Sequence, residues 1–145
     1  MTDIAFHFGA PDKIAYICRL LRKAVRLGSR VFVVVDRSDL SRLDQDLWAV
    51  SPTDFVSHCC DDADVKLLQR SYVVLGVSSA AHYADRPLLV NLSNSVPADF
   101  DRYAKLIEVV SMDEDDRAQA RLRWKQYISL GYNIMKHDLQ LKGMH

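Results

Sequence analysis

Val31-Phe32-Val33-Val34-Val35-Asp36 is the stretch on which the fold turns. Five apolar residues follow one another with no polar alternation, and most are β-branched, so the strand they form must be covered on both faces. Asp36 ends the run. Upstream, Ile4 to Phe8 reads as a further short strand. After Pro11-Asp12-Lys13, the residues Ile14, Ile17, Leu20, Leu21, Ala24 and Val25 recur at helical spacing until Gly28, which is placed to end that helix. Strand, helix and strand in succession make a unit whose crossover is right-handed.

Downstream the alternation continues. Ser38 or Asp39 caps a second helix carrying Leu40, Leu43, Leu47 and Trp48, which Ser51-Pro52 closes. Phe55 to His58 is a short extended piece and Asp61-Asp62-Ala63-Asp64 a polar turn. Tyr72 to Val77 and Leu88 to Leu92 are strand-like, joined by a segment containing Ser78, Ser79 and Pro87. Pro97 and Asp99 start a short helix through Lys105, Ile107 to Val110 give another strand, and Asp113 to Leu130 form the last long helix before Gly131. The pattern predicts one α/β domain over 1–135, a three-layer sandwich around a mainly parallel sheet. The two consecutive middle strands are candidates for an antiparallel edge, and 136–145 reads as a loosely ordered C-terminal tail.

With 145 residues, a single packed core is expected. Lys+Arg and Asp+Glu are both 19, which argues against a generally basic nucleic-acid coat or a polybasic membrane module, so charge-based recognition must be local. No apolar run approaches the roughly 18 residues a membrane-spanning helix needs, and the first residues lack the pattern of a signal peptide, so a cytoplasmic location is expected. Cys18, Cys59 and Cys60 are odd in number and two are adjacent, which suits free thiols.

A sheet of this kind invites a nucleotide, but the five glycines, Gly9, Gly28, Gly76, Gly131 and Gly143, never cluster as a phosphate loop requires. Phe8-Gly9-Ala10-Pro11-Asp12-Lys13 has one glycine and a lysine and lacks the rest. Asp36, where a ribose-binding acid would stand, reads as the start of a helix. His58-Cys59-Cys60 with Asp61 and Asp62 resembles a ligand cluster, yet adjacent strand residues point to opposite faces and do not close one tetrahedron. No cysteine is paired with a base, and Ser78-Ser79 has no nucleophile-elbow glycines. The expectation is no metal, no cofactor and no catalytic residue.

The last helix carries the remaining signal. Asp113-Glu114-Asp115-Asp116 sits at the positive end of the helix dipole, and Arg117-Ala118-Gln119-Ala120-Arg121-Leu122-Arg123-Trp124-Lys125-Gln126-Tyr127-Ile128 follows. With Arg117 as origin, Arg121 lies at about 40°, Lys125 at about 80°, Ile128 at about 20° and Trp124 at about 340° around the axis. This basic ridge beside a tryptophan is either a solvated face with a core Trp, or an apolar slot ringed by cations and suited to an acidic peptide or a terminal carboxylate. Periodicity leaves both open.

Four pieces occur in a particular order and spacing: Leu43-Asp44-Gln45-Asp46-Leu47-Trp48, Phe55-Val56-Ser57-His58, Pro87-Leu88-Leu89-Val90-Asn91-Leu92, and Arg121-Leu122-Arg123-Trp124-Lys125-Gln126-Tyr127 followed by Gly131-Tyr132-Asn133. In this the chain resembles the chi subunits of bacterial DNA polymerase III over almost its whole length. The resemblance implies a non-catalytic replicase subunit with a nucleotide-binding-like fold. Such a subunit links the clamp loader, through the psi subunit, to single-stranded DNA-binding protein by holding that protein's acidic C-terminal tail. It also implies no direct nucleic-acid or membrane binding, and makes a helicase a further candidate for the psi surface. Carried over residue by residue, the tail-binding positions fall on Trp48, Arg117, Arg121, Trp124 and Lys125, and the psi-facing aromatic on Phe55. Trp124 stands where the family carries a Tyr, and the 111–116 stretch is shorter. The rivals from other classes are a small enzyme of nucleotide metabolism using the sheet's carboxyl edge, and a direct single-stranded DNA binder using Trp124 and the basic ridge.

Overall fold

The computed structural model describes residues 2–49, 58–78 and 86–142. In chain order these form β1 (Asp3–Ala10), α1 (Lys13–Arg26), β2 (Val31–Val34), α2 (Arg37–Ala49), β3 (His58–Cys60), α3 (Val65–Arg70), β4 (Val73–Gly76), β5 (Leu88–Asn91), a single 3-10 turn at Phe100–Arg102, β6 (Lys105–Ser111), α4 (Glu114–Ser129), β7 (Ile134–Asp138) and α5 (Leu139–Lys142).

The described strands make one sheet in the order β3-β4-β2-β5-β6-β1-β7, and every pairing is parallel. The chain steps from β1 to β2 to β3 in one direction and returns through β4, β5, β6 and β7 in the other. With right-handed crossovers, this order puts α1 and α2 on one face and α3, the 3-10 turn and α4 on the other. The two buried clusters divide in the same way. Ile17, Leu21, Leu43 and Leu47 of α1 and α2 meet Val31, Val33, Leu75 and Ile107. On the opposite face, Ala120 and Tyr127 of α4 and Phe100 meet Ile4, Phe6, Phe32, Leu89 and Leu106. β2 is buried along its whole length, as a strand between two helical layers must be.

Capping is local and legible. Asp12 accepts from the Ala15 N–H at 3.1 Å and Asp113 from the Asp115 N–H at 2.7 Å, starting α1 and α4. Both helices also end alike. Gly28 (φ 78°) and Gly131 (φ 92°) take the left-handed position just past the helix. The following residues bond back to it, Ser29 N–H to Ala24 O at 2.9 Å and Tyr132 N–H to Tyr127 O at 3.1 Å.

Three expectations are corrected. No antiparallel edge exists among the described strands, because β2 lies between β4 and β5. The helix expected from Pro97 to Lys105 is only the 3-10 turn, since Asp99 is left-handed (φ 56°) and β6 already begins at Lys105. The polar turn of Asp61-Asp62-Ala63-Asp64 stands, and α3 follows it in a stretch to which no element was assigned; Asp64 caps it, accepting from the Leu67 N–H at 2.9 Å. Finally, the expected tail from 136 onward is part of the fold as far as it is described. β7 pairs with β1 from Ile4↔Ile134 to Phe8↔Asp138, and α5 follows.

Candidate functional site

α4 leaves the carboxyl end of β6 and crosses over β1 to reach β7. It lacks an ordinary apolar stripe; its buried residues are Ala120, Arg123 and Tyr127. What holds it down is a polar network. Glu108, at the centre of β6, is fully buried and takes Arg123 Nε at 3.1 Å on each carboxylate oxygen, the Tyr127 hydroxyl at 2.6 Å and Asn91 Nδ2 at 2.9 Å. Burial pushes the Glu108 carboxyl above its usual range, and the Arg123 charge and then the hydrogen bonds pull against it. Asn91 in turn accepts the Ser93 hydroxyl at 2.6 Å. Arg123 Nη1 reaches the Asn94 carbonyl at 3.4 Å, while its Nη2 is buried without a partner among the described residues.

A second tie anchors the start of α4. Lys13 Nζ lies 3.1 Å from Asp116 Oδ1, and the Ser111 N–H donates to Asp116 Oδ2 at 2.8 Å. Burial alone would raise the Asp116 pKa, but the Ser111 N–H and Lys13 outweigh it and lower it. The lysine of the Phe8–Lys13 stretch is therefore committed to joining α1 and α4 across the sheet's carboxyl edge.

With Arg123 and Tyr127 turned inward, the neighbouring flank of α4 overhangs β1 and leaves a cleft of 190 Å³. Phe6, Phe8, Val110, Arg117, Ala120, Arg121 and Trp124 line it. Trp124 stands edge-on to Phe6, ring centroids 4.9 Å apart, and Lys136 Nζ of β7 lies 5.4 Å from the centre of its ring. Arg117 pairs with Glu114 at 3.0 Å. Arg121 is exposed and, among the described residues, has no carboxylate partner. An apolar floor, an aromatic wall and an unneutralised guanidinium suit an apolar group that carries a carboxylate.

The structure thus brings together three of the positions carried over from the resemblance, Arg117, Arg121 and Trp124. Lys125 follows Arg121 by one helical turn, exposed and outside the cleft lining, and Ile128 is 49% exposed. Trp48 belongs to α2, the helix whose Leu43 and Leu47 pack on the other face of the sheet, and its side chain lies outside the described residues. Phe55 lies outside the described residues, as do Ser51-Pro52, Ser79 and His82. Phe6 and Phe8 were read only as strand residues, and Lys136 was assigned to the tail.

At the other candidate, Cys59 packs on the α4 face and Cys60 on the α1 face, as strand alternation requires. Burial, then Asp44, Asp62 and Asp61, push the Cys60 thiol up to about 11, away from the thiolate a metal or a nucleophile needs. His58, buried, meets Asp44 Oδ1 through Nε2 at 3.0 Å. Among the described residues no group of three such side chains is placed to hold a metal ion, and no helix is long and apolar enough to cross a membrane. A larger crevice of 320 Å³ opens between the carboxyl ends of β2 and β5, where the chain's two directions diverge; Asp36, Arg37, Ser78, Ser93 and Ser95 are among its lining.

Fold and cleft define a doubly wound, parallel α/β domain without a phosphate loop, carrying a basic, aromatic-walled cleft on the flank of one helix. The chain belongs to the family described as DNA polymerase III chi subunit, HolC, whose model matches residues 1–135. It is similar to the DNA polymerase III subunit chi of Pseudomonas aeruginosa, 28% identical over 128 residues covering 88% of this chain and 87% of the relative. The subunit chi of Haemophilus influenzae is 25% identical over 123 residues, 84% of each chain. The protein is accordingly a chi-type accessory subunit of a replicative polymerase.

Proposed function

We propose that this chain has no chemistry of its own and works in the cytoplasm as a linker. Its α4 cleft holds the acidic C-terminal tail of single-stranded DNA-binding protein, and a separate surface that includes Phe55 joins psi and the clamp loader, a helicase being the other candidate for that surface. The observation that carries the reading is the cleft itself: Phe6, Phe8 and Trp124 offer an apolar seat for an aromatic terminus, next to Arg121, which has no carboxylate of its own among the described residues. A guanidinium facing a terminal carboxylate makes a two-pronged, charge-assisted contact of about 1.5–3 kcal/mol. Calorimetry with an acidic peptide ending in Phe tests this directly. Arg121→Ala should nearly abolish binding, and wild-type affinity should fall with added salt; an unchanged dissociation constant in the variant removes the cleft from consideration.

The crevice between β2 and β5 favours one second reading, a nucleotide ligand at the carboxyl edge. A thermal-shift screen with nucleotides separates the two, since a specific ligand raises the melting temperature.

A further inference from the structure

Charge around the cleft is distributed unevenly. α4 is preceded and opened by Asp113, Glu114, Asp115 and Asp116, whereas from Arg117 to Lys136 every charged residue is a cation: Arg117, Arg121, Arg123, Lys125 and Lys136. Arg123 is taken up by Glu108 and Arg117 by Glu114. Arg121, Lys125 and Lys136 have no carboxylate partner among the described residues. Of these three, Lys136 alone comes from the sheet. It faces α4 from β7, which among the described strands is at the sheet's edge and pairs with β1 alone, and its ammonium lies over Trp124.

A peptide seated in the cleft by its aromatic terminus has two ways out. One runs past Arg117 toward the start of α4, where a second cleft of 220 Å³ shares Phe8 and Arg117 with the first and reaches Met112, Asp138 and Gln140. Space does not close that route. Charge does, because Arg117 and Glu114 neutralise each other while Asp113, Asp115 and Asp138 stand at that end and repel the acidic residues. The other way runs along Arg121 and Lys125 and over Lys136. We propose that the tail takes this second route, and that Lys136 is a specificity-determining contact for the acidic residues preceding the aromatic terminus. The inference rests on the reading of the cleft given above.

The test compares two peptides on the full chain by calorimetry, an acidic peptide ending in Phe and the same peptide with its acids replaced by serine. Lys136→Gln should weaken the acidic peptide about two- to fivefold and flatten its salt dependence, because it deletes one exposed charge contact. The serine peptide should bind the variant as it binds the wild type, and Lys136→Arg should restore the acidic peptide. Asp115→Lys, at the opposite exit, should change acidic-peptide affinity less than Lys136→Gln does. Equal weakening of both peptides would reduce Lys136 to a prop for Trp124 and overturn the proposal; so would the reverse ranking of Lys136→Gln and Asp115→Lys. If neither peptide binds the wild type, the reading of the cleft itself fails, a result distinct from binding that ignores Lys136.

Discussion

Removing the carboxylate at position 108 should cost this protein more stability than any surface change. Glu108→Ala leaves the Arg123 guanidinium, 3% exposed, as an uncompensated buried charge, and strands the Tyr127 hydroxyl and one Asn91 N–H besides. Breaking a buried pair from one side costs about 3–5 kcal/mol. At about 4 °C per kcal/mol for a chain near this size, the melting temperature should drop by about 12–20 °C. Tyr127→Phe removes a single charge-assisted bond and should cost about 1.5–3 kcal/mol. The informative variant is the double change Glu108→Leu with Arg123→Met. The pair is imperfectly satisfied, with Arg123 Nη2 unpartnered among the described residues and Nη1 at 3.4 Å from its carbonyl, so its net contribution is small. Replacing both charges should therefore cost less than Glu108→Ala alone. Urea unfolding of the three variants and the wild type measures all of this. A loss under about 1 kcal/mol for Glu108→Ala, or a double-variant loss larger than that of Glu108→Ala, would refute the account of how α4 is anchored.

Trp124→Ala should lose the acidic peptide, whereas Trp124→Tyr should keep most of it, because the residue supplies a flat apolar wall. Melting and calorimetry on one sample decide this, and wild-type affinity in the alanine variant would return Trp124 to a purely structural role. Phe55→Ala should stop co-purification with psi and leave peptide binding intact; loss of both together would end the two-surface arrangement. For Asp116, whose pKa is lowered in the folded chain, the stabilisation is present above the unfolded carboxyl value of about 3.9 and is lost as pH falls through the lowered folded value. Asp116→Asn should thus cost about 1–2 kcal/mol at neutral pH and progressively less as the pH is taken below about 3.9, and a cost that does not fall with pH would contradict the Lys13 and Ser111 ties.

The parallel core was legible because β2, β4 and β5 are continuous apolar runs, and α1 and α4 because Asp12, Asp113, Gly28 and Gly131 mark their ends. β7 was not legible, for a physical reason. As an edge strand it carries Met135, Lys136, His137 and Asp138, residues with no alternation and little burial, and its stability comes from the ladder to β1 rather than from its own propensity. α3 hid because it is six residues long and buries none of its side chains fully. Two signals for the α4 anchor were present unread: Glu108 inside Leu106-Ile107-Glu108-Val109-Val110, and Asn91 inside Leu88-Leu89-Val90-Asn91-Leu92. An acid and an amide in strands buried on both faces require buried partners, and Arg123 and Tyr127 are those partners. Of the ridge read from the sequence, Arg117, Arg121 and Lys125, the cleft takes Arg117 and Arg121 beside Trp124 and leaves Lys125 outside its lining.

The cleft follows from topology as much as from side chains. Beyond β6 the sheet continues through β1 to β7, and on the α4 face α4 is the helix that packs there. A helix about 10 Å across does not cover two strands about 4.8 Å apart together with their margins when its own inward residues include one as small as Ala120. Phe6, which faces α4 from β1, is almost wholly covered at 3% exposed, and Phe8 and Trp124, half-buried, carry the open part of the cleft. A half-open apolar recess of this kind suits an apolar group that completes the roof. The cations around it suit an anionic occupant, and the acids at the start of α4 confine the positive field to the second half of the helix and to β7. The tail site proposed above thus lies on a helix flank near the sheet's edge, away from the carboxyl-edge crevice where α/β folds of this topology bind nucleotides.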